Sequence, residues 1–579
     1  MNQDEVGDVL ESIARLLELK GENPFKVRAY INGARALETL SEDLATLVAE
    51  NRLEEVDGIG KAIAEKISTL VTTGKLEYYE KLRDEFPQEI FTLFELQGLG
   101  AKKIKVMYDT LGISSLTKLE RLCKSGEVAA LPGFGKKTAD NILKAIEQHK
   151  KSADQFRLAD IMSIADDLLE DLRSHPRVTL VQIAGSFRRK KEIVRDLDFI
   201  ASTRHPKEVS DHFVTHPLVE SVIAQGDTKS SVLLKNGIQC DLRVVTSGEY
   251  PFALNYFTGS KEHNVKMRSR ALERGWSLNE YRFSEVEGKK LKESPPEVYT
   301  EGDIYKALGL EYVEPELRED RGEIAAAEKG ELPNLIEWSN LRGTFHCHTT
   351  ESDGRASLED MAEAAHDLGL QYLGIADHSK SSVQARGLDE TRLLAQVKRI
   401  AELNKTLDGI HLFAGTECDI RKDGTLDFSD EILAQLDYVV VSVHSSFTLS
   451  ETEMTDRIIK AMENPYVTML GHLTGRLLLT RDAYKVNVPA IIEAAAATGT
   501  IIELNANPRR LDMDWRWWPL ARQKGVKCAI NPDAHSTAGL QDLIFGVNAA
   551  RKGWLTRADV VNTLPLAKVR DVLEAKKRK

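Results

Sequence analysis

Along residues 1–150 apolar positions recur at helical spacing, and the helices they predict are separated by glycine turns. One short pattern appears three times there: "VDGIGKAIAEKI" at 56–67, "LQGLGAKKIKVM" at 96–107 and "LPGFGKKTADNI" at 131–142. Residues 178–203 and 231–247 switch to β patterning, and 250–318 is mixed. The stretch "LREDRGEIAAAEKGELPN", 317–334, is polar without strong periodicity and reads as a linker, placed at 319–339. From 340 onward short apolar runs alternate with helical stretches, which predicts an α/β fold. The 240 residues from 340 to 579 suit a (β/α) barrel, whose site lies at the C-terminal strand ends.

Length and charge narrow the class. A chain of 579 residues is too long for one core. No apolar run approaches the roughly 20 residues of a membrane span, and the acidic, amphipathic start lacks the features of a signal peptide, so the chain reads as cytoplasmic. Five scattered cysteines (Cys123, Cys240, Cys347, Cys418, Cys528) form no CxxC pair, which excludes a disulfide framework and a thiolate zinc finger. A net charge of −12 argues against a generally basic nucleic-acid coat and leaves room for a local binding surface.

The repeats supply such a surface. In each, a first glycine permits a tight turn and a second leaves the next helix N-terminus uncovered: Gly58 and Gly60, Gly98 and Gly100, Gly133 and Gly135. Backbone N–H groups at a helix start bind phosphate, and lysines follow at once (Lys61; Lys102, Lys103 and Lys105; Lys136 and Lys137). The pattern resembles helix-hairpin-helix motifs, which grip the DNA backbone without reading sequence.

Two further constellations carry chemistry. In "GSFRRKKEIVRDLDF", 185–199, Asp196 and Asp198 share a strand face. Paired carboxylates repel unless a cation sits between them, and hard oxygen ligands suit Mg²⁺ or Mn²⁺. Asp241 of "IQCDLRVV" adds a third carboxylate, and the Gly185-Ser186 turn with Arg189 suits a triphosphate. In the C-terminal half, six of eight histidines end apolar runs: His346, His348, His378, His444, His472 and His535, with Asp353, Glu417 and Asp533. Imidazole with carboxylate suits Zn²⁺, Mn²⁺ or Fe²⁺, and nine such residues can hold two or three ions that polarise a phosphoester. Cys347 and Cys418 alternate with these residues and read as core.

"GSFRR…DLD", "CDLR" and "NYFTGSKEHNVKMRSRALERGWSLNEY" (255–281) resemble the family X DNA polymerases, the DNA polymerase β group, over the chain up to about residue 318. The histidine runs resemble the PHP (polymerase and histidinol phosphatase) domain over about 340–575, and the combination resembles the bacterial members of family X. The resemblance implies a multidomain fold: an N-terminal lyase-type helical domain with the first helix-hairpin-helix (1–85), fingers with the second and third (86–150), an α+β nucleotidyltransferase palm (151–247), a nucleotide-selecting subdomain (248–318) and a distorted seven-stranded (β/α) PHP barrel (340–579).

It implies a metal triad of Asp196, Asp198 and Asp241, with Ser186 and Arg189 on the β- and γ-phosphates. Tyr256 and Phe257, before Gly259 in "YFTGS", pack under the sugar, and Tyr256 is the steric gate. Asn264 contacts the incoming nucleotide and Arg268 the template, while Arg243 and Glu280 belong to a closing switch. Lys66 aligns with the Schiff-base lysine of a lyase, with Lys26 and Tyr30 as support. Arg509 of "NANPRRLD" is a candidate phosphate ligand. Lys261 stands where the family's animal enzyme has an acidic residue, and a third hairpin exceeds the expected two. The activity implied is gap filling on gapped or nicked DNA from deoxynucleoside triphosphates by a monomer. The barrel then acts as a metal-dependent 3′–5′ exonuclease, 3′-phosphatase or abasic-site endonuclease. The alternatives are an end-processing nuclease whose polymerase half only binds DNA, and a metabolic phosphoesterase.

Overall fold

The computed structural model describes residues 1, 3–38, 40, 44–56, 58–96, 99–152, 154–286 and 294–576. The chain divides into two compact units, Met1–Ala153 and Asp154–Lys579. No described helix is long and apolar enough to cross a membrane.

The first unit is helical and has two apolar clusters. One gathers Val6, Leu10, Ile13, Leu37, Ile63 and Ile67. The other gathers Ile90, Leu93, Ile104, Met107, Leu119, Val128 and Ile142. Each G-h-G turn feeds a helix: Lys61–Thr73, Ala101–Leu111 and Lys136–Ser152.

In the second unit the helix Leu158–Ser174 leads into a five-stranded sheet. Its strands are β1 (Leu180–Ile183), β2 (Asp196–Ser202), β3 (Val219–Gln225), β4 (Lys229–Leu234) and β5 (Gln239–Val245), in the order β1-β2-β5-β4-β3. β2 and β5 run parallel, with Asp198 directly opposite Asp241. The β-patterned stretch at 231–247 is in fact two strands, turned at Asn236-Gly237, where Gly237 has φ +87°. An Asn-Gly pair between apolar runs favours such a turn.

A smaller core follows, built on Met267, Trp276, Phe283, Ile304, Tyr305 and Leu317. The predicted linker at 319–339 is instead part of this body. Its sequence forms a helix, Glu323–Lys329, stopped by left-handed Gly330. Ala327 and Leu335 join the apolar cluster, and buried Glu323 lies 2.7 Å from the ring of buried His263. Composition misled because two of its acids, Glu319 and Glu323, are drawn inward by Arg189, Lys552 and His263.

From Gly343 the chain forms parallel strands: β6 (Gly343–Cys347), β7 (Tyr372–Ile375), β8 (His411–Ala414), β9 (Glu417–Asp419), β10 (Val440–Ser442), β11 (Met469–Leu470), β12 (Ile501–Asn505) and β13 (Cys528–Asn531). β8 pairs with β7 and β9 with β10, so these two form one strand position broken at Gly415-Thr416. Seven positions result, and a parallel bridge from Cys347 to Ala534 joins the two ends of the series. Phe345, Tyr372, Phe413, Tyr438 and Met469 cluster together. A Cβ on Gly415 would lie 2.4 Å from the Tyr438 ring, so only glycine fits there. Ser357, Asp389, Ser450 and Asn487 cap the intervening helices, each accepting a backbone N–H. Such a cap contributes about 1 kcal/mol.

Candidate active sites

The first candidate site lies on β2 and β5. Gly185 has φ +62°, and a Cβ there would lie 2.7 Å from Asp198 Oδ2, so the turn before β2 needs glycine twice over. Burial and the neighbouring carboxylates of Asp196 and Asp241 push the Asp198 carboxyl up to about 7. Burial and Asp241 raise Asp196 as well. Asp241 goes the other way: burial is outweighed by the Lys229 ammonium at 2.6 Å, with Ser231 and Gln239 also bonding it. Arg243 and Lys229 offset only part of this at Asp198, where a divalent cation fits the oxygen donors present.

The neighbouring groups are partly as expected. The rings of Tyr256 and Phe257 are 5.1 Å apart, and the Arg243 guanidinium lies 4.0 Å from the Phe257 ring. Asn264 donates from Nδ2 to the Tyr256 carbonyl at 2.7 Å. Gly259, at φ +67°, turns the chain into the helix Lys261–Glu273, which starts with exposed Lys261 and carries half-buried Arg268. Ser186 is half-buried in the turn Gly185–Arg188. One expectation differs. Arg189, placed at the phosphates by sequence, is tied to Glu319 at 3.0 Å and to the Thr258 carbonyl.

Sequence did not reveal what holds Arg189. Lys552 is fully buried; its Nζ lies 2.6 Å from Glu319 and donates to the Arg189 carbonyl at 3.1 Å. Burial opposes the charge on Glu319, yet Lys552 and Arg189 bring its carboxyl down to about 2. The palm and the barrel are thus joined by buried charge, and Trp515 adds an indole N–H donated to Glu192 at 3.1 Å.

The second candidate site gathers all nine histidine-set residues at the strand ends. His346 sits in a bulge of β6 with φ +58°, so its approach to His348 depends on that bulge as well as on strand alternation. Glu417 is central: His472 Nε2 lies 2.9 Å from its Oε1, His444 Nε2 3.1 Å and His346 Nε2 3.3 Å, while His378 Nδ1 lies 2.9 Å from its Oε2. Asp533 stands 3.2 Å from His348 Nε2, and Asp353 stands 3.4 Å from His535 Nε2 and 3.6 Å from His378 Nε2. Three sets each place their donor atoms within 4.8 Å of one another: His348, Asp353, His378 and His535; His346, His348 and Asp533; His378, Glu417 and His444.

These donors fit metal ions. His348 Nδ1 and His472 Nδ1 are buried without a hydrogen-bond partner, and the close approaches of His346 Nε2, His348 Nε2, His378 Nδ1 and Glu417 Oε2 to their neighbours are not aligned as hydrogen bonds. A buried unpaired polar atom costs about 1–3 kcal/mol, which coordination offsets. Burial and the nearby rings of His535 and His378 hold His348 down to about 4, a neutral donor. Burial opposes the charge on Glu417, but His444, His346 and His378 keep its carboxyl well below the usual range.

Around this nest lie residues that sequence reasoning missed. Buried Glu503 stands 2.6 Å from His346 Nδ1 and accepts bonds from the His472 backbone, Asn505 and Asn531. Asp419 lies 3.0 Å from His444 Nδ1. The available signal was an acid inside an apolar strand, "IIELN", and one two residues beyond Glu417. Arg509 is exposed, and its neighbour Arg510 reaches Asp533 Oδ2 at 3.5 Å.

In the helical unit Gly58 and Gly133 take φ +91° and +79°, and Gly60 and Gly100 stand at helix N-termini. A Cβ on Gly60, Gly100, Gly133 or Gly135 would meet nothing within 4 Å, so open space fronts those turns. Lys61, Lys102, Lys103, Lys136 and Lys137 are exposed, whereas Lys105 pairs with Asp109 at 2.8 Å. Gly98 lies outside the described residues. The Lys66 ammonium lies 5.9 Å from the Tyr30 ring and 5.3 Å from that of Tyr78, with Lys26 also over Tyr78 at 5.8 Å. Tyr78 is an addition to the set read from sequence.

The chain is 39% identical over 576 residues to the DNA polymerase/3′–5′ exonuclease PolX of Bacillus subtilis, covering 99% of this chain and 100% of that one. The chain belongs to the family X DNA polymerases that carry a PHP domain. Within this family, sequence models match for a helix-hairpin-helix domain (1–76), a SAM-like helix-hairpin-helix tandem (91–148), the DNA polymerase beta thumb (253–319) and the PHP domain (344–507). The two halves also have separate relatives. DNA polymerase lambda of Rattus norvegicus is 26% identical over 341 residues, 54% of this chain and 56% of that one. A protein of Thermoanaerobacter named "Probable phosphatase" is 27% identical over 245 residues, 40% of this chain and 95% of that one. Kinship with a polymerase/exonuclease implies divalent-metal dependence, and the His, Asp and Glu groups of the barrel can hold such ions.

Proposed function

We propose that this chain is a DNA-directed DNA polymerase that fills short gaps, and that its barrel trims 3′ ends as a 3′–5′ exonuclease. It acts as a cytoplasmic single chain on gapped or nicked DNA and deoxynucleoside triphosphates. The observation that carries this reading is one unit holding both the facing carboxylates of Asp198 and Asp241 and the convergent histidine nest.

Asp196, Asp198 and Asp241 would hold Mg²⁺ or Mn²⁺, which activates a 3′-hydroxyl and neutralises departing pyrophosphate. Tyr256 and Phe257 offer a wall for the sugar, held by Arg243 on one side and Asn264 on the other. Ser186 faces the triphosphate, and Arg189 reaches it once released from Glu319. In the barrel, His346, His348, Asp353, His378, Glu417, His444, His472, Asp533 and His535 would hold two or three Zn²⁺, Mn²⁺ or Fe²⁺ ions, which supply hydroxide and stabilise the charged phosphoester. Glu503 and Asp419 fix the ring orientation of His346 and His444. Arg510 stands where a scissile phosphate needs a guanidinium. The glycine turns and lysines of the helical unit hold DNA through phosphates, so binding is salt-sensitive and sequence-tolerant.

The test is a 5′-labelled primer in a gapped duplex with Mn²⁺, with and without deoxynucleotides, read on a sequencing gel. Extension with nucleotides and shortening without them is the expected result. Extension that survives Asp196→Ala would overturn the polymerase assignment. Shortening alone would favour an end-processing nuclease whose polymerase half binds DNA.

A further inference from the structure

A groove of about 410 Å³ opens between the loops after β11 and β12 and the chain that leaves the nucleotide-selecting subdomain. It is lined by Arg321, Arg476, Arg516, Trp517 and Tyr484, with Asp514 the only carboxylate among its described lining residues. That one carboxylate serves two guanidiniums, Arg476 at 2.6 Å and Arg516 at 2.7 Å, and Glu192 also reaches Arg516 at 3.4 Å, which leaves Arg321 as the unpaired charge among the described lining residues. Arg321 makes no ion pair among the described residues; its guanidinium lies 5.4 Å from the Trp515 ring and donates to the Arg516 carbonyl at 3.5 Å. The Trp517 indole is 36% exposed. Surplus positive charge thus stands beside an open aromatic face.

The wall of the groove continues into the histidine nest. Thr474, two residues after His472, donates its backbone N–H and hydroxyl to Asp512 at 2.8 and 2.9 Å. Arg476 Nε donates to the Arg510 carbonyl at 2.9 Å, and the Arg510 side chain reaches Asp533. The lining of the groove is thus bonded directly to the arginine that faces the nest.

We propose that this groove binds single-stranded DNA and leads a frayed 3′ end into the barrel site, with phosphates on Arg321 and Arg516 and a base stacked on Trp517. Guanidiniums interleaved with an exposed indole match a polyanion that carries flat π faces. An acidic peptide would satisfy the arginines and leave Trp517 unused. The inference rests on the nuclease reading above.

Full-length Trp517→Ala and Arg321→Ala test it by kcat/KM on an oligothymidylate of about eight nucleotides, a length within single-strand site sizes. Bis(p-nitrophenyl) phosphate, too small to reach the groove, serves as the reference substrate. For Trp517→Ala the oligonucleotide value falls about tenfold relative to the small diester, the worth of one stacked base. For Arg321→Ala the salt dependence of oligonucleotide affinity flattens by about 0.7 in log–log slope, one phosphate contact fewer. Equal losses on both substrates, or none, would overturn the groove. Anisotropy of a phosphorothioate oligothymidylate on the Mn²⁺ enzyme separates the two readings. Binding weakened by Trp517→Ala, with no hydrolysis of oligonucleotide by the unaltered enzyme, removes the nuclease and keeps the groove. Hydrolysis by the unaltered enzyme, with unchanged affinity in both variants, removes the groove and keeps the nuclease.

Discussion

The palm and the barrel present oxygen and nitrogen donors suited to divalent cations in opposite ways. The palm uses three carboxylates on two neighbouring strands, with Asp196 exposed and Asp198 pushed up to about 7. The barrel gathers histidines and acids from strand ends around its rim, most of them buried, eight of them in groups whose donor atoms lie within 4.8 Å of one another, with His472 beside Glu417. Carboxylates repel, so the palm trio is unfavourable until cations arrive. Imidazoles alternate with carboxylates in the barrel, so charges there balance locally and the geometry stands ready.

The sharpest way to break this comparison is to cut one site at a time. Asp198→Ala lowers extension by about a thousandfold and leaves shortening in place, and His348→Ala does the reverse, each read on the gapped-primer gel. A joint loss in either variant would show that the sites do not work separately. Glu503→Gln is milder: barrel metal affinity or nuclease rate falls about 10–100-fold, because His346 loses the acceptor that sets its tautomer. Metal content by mass spectrometry beside nuclease rate checks this.

Proton linkage distinguishes the sites further. Without ions, burial is overcome by Glu417 and Asp419 to hold His444 up to about 10, and by Asp353 and Asp533 to hold His535 up to about 9. Ions must displace those protons, so barrel metal affinity rises with pH through the neutral range and falls on acidification, with proton release measurable by calorimetry in buffers of different ionisation heat. The palm has the opposite apo signature. An unfolded aspartate titrates near about 4, and folded Asp198 near 7. Its folded pKa is raised, so the chelated protein loses stability from this group as pH climbs from 4 to 7, and the loss is absent below that window. Asp198→Asn flattens that slope in chelated thermal melts and abolishes extension. The smallest effect is local: Gly185→Ala destabilises by about 1–3 kcal/mol through its positive φ and the contact with Asp198, seen by denaturant titration.

Much of each site was legible because its chemistry recurs at fixed spacing. Asp196 and Asp198 alternate on a strand behind a glycine turn, and the histidines close apolar runs. Glu503 was not legible, since an acid inside an apolar strand shows its role only when the partner ring, far off in sequence, comes within 2.6 Å. Arg510 rather than Arg509 faces the nest because the loop after β12 turns one of two adjacent arginines inward, and spacing carries no information about which. The segment 319–339 looked like a linker because its charges are unpatterned, yet Glu319 and Glu323 find partners at Lys552, Arg189 and His263.

Local periodicity and turn chemistry therefore determined most of the elements, the Asp196–Asp198 and His346–His348 pairs and the glycine turns, since these depend on residues near one another in the chain, whereas Asp241 and the remaining donors join from distant strands. Only the tertiary structure decided which charges are buried together. The tie of Arg189 to Glu319 and Lys552, the bulge that aims His346 and the groove beside Trp517 all join segments distant in sequence. Desolvation, which makes each of those pairings matter, exists only once the chain has folded around them.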